Sequence, residues 1–226
     1  MLRQAIFRAG VAIAVVGAGL SAVATAPPAR SVETVTIAVI GDSYTTGTDM
    51  GGSGALAWPQ ATWGLLAKQG LTVSADVQSE GGAGYTHIGE QGATFQSLTA
   101  KAVHDDDLVV YFGSINDMPL DPLFPGIAAR TFQLARTFAP GAKLLVIGPL
   151  WPSGNPPPEL TDLRESLRRA AAEAGAGFAD PIAERWFAGR PDLIGQDGIH
   201  PNDAGHAYLG HRIAPLILRE LIFGGG

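Results

Sequence analysis

The sequence contains no cysteine. That excludes a disulfide framework, a thiol nucleophile and a thiolate-bound metal. It does not locate the protein, because a cysteine-free chain suits oxidising and reducing compartments alike. Charge is also scarce, at 16% of residues, and the formal net charge is −6. No run of Lys or Arg occurs, so the clustered cations that nucleic acid or an anionic membrane surface requires are missing. The glycine-rich stretch from Gly47 to Gly54 lacks the Gly-Lys-Ser/Thr ending of a phosphate-binding loop. The serine of Gly41-Asp42-Ser43-Tyr44 is not set in Gly-x-Ser-x-Gly, which disfavours the α/β-hydrolase fold. His200, His206 and His211 are spaced so that successive members fall on different faces of a helix, and His104-Asp105-Asp106-Asp107 reads as a solvated turn. No metal and no cofactor are therefore expected.

What is present points to one filled domain. Hydrophobic residues make up 46% of 226, which argues against disorder. The amino terminus carries Arg3 and Arg8, then an apolar stretch from Ala9 to Val23, then Ala22-Val23-Ala24. Positive start, short apolar middle and small-residue end describe a secretory signal peptide over residues 1–24. A short linker over 25–31 and one domain over 32–226 follow. The expected location is secreted or cell-envelope, with no membrane span kept after cleavage.

The domain alternates strands and helices. Strands are expected at 32–40, 71–77, 108–112, 142–147 and 178–179, the first rich in β-branched residues. Helices are expected at 58–68, 94–103, 126–138, 159–174 and from Asn202 or Asp203 to Phe223, the last with a kink at Pro215. In the fourth of these, Leu160, Leu163, Leu167 and Ala171 form one apolar stripe. This order predicts a doubly wound α/β fold of about five parallel strands with helices on both faces. Phe124, Trp151 and Trp58 are candidates for a pocket wall, with core the stronger reading for Trp58.

In a parallel sheet every strand's carboxyl end opens on one edge, where ligands bind. Three such ends carry small residues and one polar side chain: Ser43, the Gly81 to Gly84 loop, and Asn116. A fourth stretch is Asp197-Gly198-Ile199-His200. Alone, Gly-Asp-Ser is an ordinary turn and helix cap. Together the four stretches contain the parts of acyl transfer. A serine needs a base within hydrogen-bond reach. Histidine has a suitable pKa, and a carboxylate holds its tautomer. Donors are needed for the oxyanion. Asp42 reads as a brace for the turn.

These blocks resemble those of the SGNH, or GDSL-type, serine esterases and lipases. Gly41-Asp42-Ser43-Tyr44 resembles the nucleophile block, with Tyr where Leu is commonest. Gly113-x-x-Asn116-Asp117 is similar to the oxyanion-asparagine block, and Asp197-x-x-His200-Pro201 to the block with the other triad members. The glycine block matches least well: Ser79 stands where Asn is usual, so the register points to Gly84, with Gly82 as rival. The resemblance implies a flavodoxin-like three-layer α/β/α fold and ester hydrolysis through an acyl-enzyme. Ser43 is then the nucleophile, His200 the acid–base and Asp197 its orienting carboxylate. Ser43 N–H, Gly84 N–H and the Asn116 amide form the oxyanion hole. The substrate is a small-molecule, lipid or acylated-glycan ester. An acyltransferase to a cell-envelope sugar needs the same triad. A non-catalytic envelope-binding module is the more distant alternative. Oligomeric state is left open.

Overall fold

The computed structural model describes residues 33–113, 115–152 and 155–224. The expected signal peptide and linker lie outside them. Five strands form one all-parallel sheet: β1 (Glu33–Gly41), β2 (Leu71–Ser79), β3 (Leu108–Phe112), β4 (Lys143–Ile147) and β5 (Gly177–Ala179). Their spatial order is β2-β1-β3-β4-β5. The direction of winding reverses between β1 and β3, which is the switch point where such sheets place a ligand crevice.

The register brings the strand ends into one row. Gly41 pairs with both Ser79 and Phe112, Phe112 pairs with Ile147, and Ile147 pairs with Ala179. The loops after all five strands therefore leave the sheet at one level.

Alternation along the strands divides the core in two. Ala38, Ile40, Val109, Tyr111, Leu144 and Val146 face one side. There they meet α3 (Phe95–Ala102), α4 (Phe124–Phe138) and α5 (Pro158–Glu173), and the stripe Leu160, Leu163, Leu167 and Ala171 is buried. Ile37, Val39, Leu108, Val110 and Phe112 face the other side, against α2 (Trp58–Ala67) and α6 (Asp203–Phe223). The sheet is thus covered on both faces, and its central strands are apolar on both.

Capping explains several helix starts. The Thr94 side chain accepts from Ser97 N–H and the Ser97 hydroxyl accepts from Thr94 N–H, a reciprocal cap for α3. Asn202 accepts from Gly205 N–H at 2.9 Å and starts α6, which runs unbroken past Pro215. Trp58 and Phe124 are fully buried and belong to the core. Among the described residues no helix is long and apolar enough to cross a membrane.

Candidate active site

Ser43 follows β1 directly. Asp42, fully buried, accepts from Tyr44 N–H at 2.9 Å and so opens a one-turn helix, α1 (Ser43–Thr46). Ser43 is its first residue and keeps its side chain partly open to solvent. Gly41 allows this turn, since a Cβ there would overlap Thr45, whose hydroxyl accepts from the Trp58 indole.

His200 arrives from the loop between the short helical turn Pro191–Leu193 and α6. The His200 Nε2 lies 2.9 Å from Ser43 Oγ, and His200 Nδ1 lies 2.6 Å from Asp197 Oδ2. The other Asp197 oxygen accepts from Ile199 N–H at 2.9 Å and His200 N–H at 3.0 Å. Partial burial works against charge on Asp197. The N–H donors of Ile199 and His200 and the imidazole outweigh it, and the carboxyl pKa lies below its ordinary value. An ionised Asp197 favours the tautomer with the proton on Nδ1, which leaves Nε2 free to accept from serine. Serine hydroxyl, imidazole and carboxylate form one continuous chain.

Tyr44 holds the two halves of this chain together. Its buried hydroxyl donates to the Ile199 carbonyl at 2.9 Å, and its ring packs 5.6 Å from the His200 ring. Burial pushes the phenol pKa far up, so the hydroxyl stays a donor.

Asn116 stands at the switch point, in the helical turn Ile115–Asp117 after β3. Its amide donates to the Ala83 carbonyl at 2.9 Å and, at a longer 3.3 Å, to Asp42 Oδ2. Asp117 beside it is buried. Its carboxylate accepts from Tyr85 N–H, Thr86 N–H, the Thr86 hydroxyl and His87 N–H at 2.7–2.9 Å. The loop after β3 thereby fixes the loop after β2.

That loop places its glycines differently from the expected register. Gly84 is buried with its N–H on the His87 carbonyl at 3.0 Å, and it does not line the cleft at Ser43. Its peptide is held from both sides, because the Ala83 carbonyl takes the Asn116 amide. A Cβ on Gly84 would press on the Asp117 carboxylate, so glycine is required there for packing. Gly82 does line the cleft. It sits at the third position of a turn closed by Ala83 N–H to the Glu80 carbonyl, with φ +76°, which glycine tolerates best. Among the described residues its N–H, like that of Ser43, has no acceptor.

The remaining sequence candidates fall elsewhere. Trp151 lines a second cleft of about 560 Å³ with Pro156, Arg185 and Phe187, which shares no lining residue with the cleft at Ser43. His206 is buried, and a Cβ on Gly52 would overlap its ring; His211 is exposed. The Gly51–Gly52 backbone packs on the start of α6, with Gly52 N–H on Asp203 at 2.9 Å. Tyr44, Asp117 and the buried Glu80, which accepts from Gln91 and Ala93 N–H, were given no catalytic-site role by sequence. Asp117 and Tyr44 had a signal, their places in the Asn116 block and the nucleophile block; Glu80 had none.

The GDSL-like Lipase/Acylhydrolase family model matches residues 39–208. The chain belongs to this family. A GDSL lipase, Rv0518 of Mycobacterium tuberculosis (strain ATCC 25618 / H37Rv), is 54% identical over 191 residues, covering 82% of this chain and 83% of that one. The crystal structure of TesA superposes with a TM-score of 0.65 at 25% identity, over 82% of this chain and 99% of that one. The psychrotrophic esterase EstA from Pseudoalteromonas sp. gives 0.64 at 16% identity, over 83% and 99%, a likeness of fold. The chain is a serine ester hydrolase of the GDSL type, with the doubly wound parallel sheet common to these esterases.

Proposed function

We propose that the protein is an exported carboxylic-ester hydrolase that works through an acyl-enzyme on Ser43. The observation that carries this reading is the hydrogen-bonded chain from Ser43 Oγ to His200 Nε2 at 2.9 Å and from His200 Nδ1 to Asp197 at 2.6 Å. Ser43 Oγ attacks the ester carbonyl carbon as its proton passes to Nε2. His200 then gives that proton to the departing alcohol oxygen. Water, deprotonated by the same nitrogen, releases the acid and restores the serine. Asp197 stabilises the imidazolium in both steps.

The negative oxygen of each tetrahedral intermediate needs donors already in place. Ser43 N–H, Gly82 N–H and the Asn116 amide are assigned to it. Gly82 replaces Gly84 because its N–H has no acceptor among the described residues and lies beside the cleft. Asn116 contributes by giving up its longer bond, the one to Asp42. Export rests on the composition of residues 1–24.

Labelling with a fluorophosphonate tests the reading, since such probes capture only an activated serine. The adduct is expected on the Ser43 peptide, and its formation should be lost in His200→Ala. An unlabelled Ser43 in folded protein would overturn the proposal.

A further inference from the structure

The cleft on Ser43 has a volume of about 470 Å³, and among the described residues no hydrocarbon side chain lines it. Beyond the triad members and the glycines, its wall includes Thr46, Thr48, Asp49, Ser79, Glu90 and Gln91. Asp49 and Glu90 are exposed, and neither has an ion pair among the described residues. Trp151 and Phe187 line the separate cleft.

This wall discriminates between ester classes. A fatty acyl chain gains affinity only where its methylenes leave water for apolar surface, and among the described residues no hydrocarbon side chain offers it here. An anionic alcohol meets Asp49 and Glu90, with no Lys or Arg among the described residues of the wall to offset them. An ammonium alcohol uses acceptors alone and is held best over an aromatic face, which the wall lacks. A sugar hydroxyl both donates and accepts. The carboxylates accept from it, while the threonine and serine hydroxyls and the Gln91 amide do both.

We propose that the substrate is a short acyl ester, acetyl in size, of a polyhydroxylated alcohol: a sugar or oligosaccharide. This rests on the esterase reading of Ser43. The bond broken is between the acyl carbon and the sugar oxygen. That oxygen leaves with the proton from His200, and water releases the acid. Asp49 and Glu90 hold hydroxyls of the alcohol.

The test compares kcat/KM of the full protein on an acetylated xylo-oligosaccharide, p-nitrophenyl acetate and p-nitrophenyl decanoate. It repeats the first two with Glu90→Ala and Asp49→Ala, both exposed positions, after a thermal melt confirms folding. The acetate is expected to exceed the decanoate by roughly 10²-fold, because several methylenes find no apolar contact. Each variant is expected to lower the ratio of oligosaccharide to aryl acetate by roughly 10-fold, through KM, as a hydrogen bond to a charged group is lost. Equal or faster cleavage of the decanoate overturns the substrate assignment and leaves the esterase reading standing. So does a ratio that neither variant changes. No hydrolysis of any ester, with Ser43 unlabelled by fluorophosphonate, overturns both.

Discussion

The Tyr44 hydroxyl donates to the carbonyl of Ile199, the residue before His200, across 155 positions of sequence. This bond ties the turn that carries the nucleophile to the loop that carries the base. Tyr44→Phe keeps the ring contacts with Phe112 and His200 and removes only the tether. The expected result is a fall in kcat of roughly 3–10-fold with KM little changed, and a stability loss of about 1 kcal/mol. Steady-state kinetics across pH, with urea unfolding of both proteins, measure it. A purely structural role would lower stability and leave kcat alone.

Asp117 governs the loop that carries Gly82. Asp117→Ala removes the acceptor of the Tyr85, Thr86 and His87 N–H groups at a site 2% exposed. A destabilisation of about 3 kcal/mol or more is expected, since several donors are left without a partner. Denaturant midpoints give the value. Asp117→Asn should recover part of it, because one amide oxygen still accepts.

The last block was the most readable part of the site. Asp197 and His200 are three residues apart, so one turn brings them together with little help from the rest of the fold. The strand pattern was equally local, as β3 is apolar throughout and β1 and β4 carry apolar runs over residues 37–40 and 144–147. The choice between Gly84 and Gly82 for the proposed oxyanion hole was not readable. Which way the peptide at Gly84 faces depends on Asn116 and Asp117, which come from another strand. Counting from Ser79 cannot reveal that. Tyr44 looked like a substitution in a motif because its partner, Ile199, lies in the last block. His206 gave no sign of burial, since what covers it is Gly52, a residue with no side chain to signal a contact.

That burial has a pH consequence. His206 is 1% exposed, and its Nδ1 has no hydrogen-bond partner among the described residues. Desolvation lowers its pKa from 6.5 to about 4, while the Asp203 carboxylate works the other way and His200 adds to the lowering. Unfolding therefore takes up a proton between those two values. The native state is fully stabilised above about pH 6.5 and loses stability as pH falls toward 4. Between pH 7.5 and pH 5 the loss from this residue should be about 2 kcal/mol. Urea midpoints at the two pH values should differ less in His206→Leu than in the wild type. An unchanged difference would assign the pH dependence to other groups.

Ester cleavage by this site depends on attack by Ser43 Oγ. The direct measurement is kcat/KM for p-nitrophenyl acetate with Ser43→Ala protein whose melting curve matches the wild type. Transition-state stabilisation through the nucleophile predicts a fall of about 10³-fold or more. Turnover equal to that of the wild type would contradict the assignment.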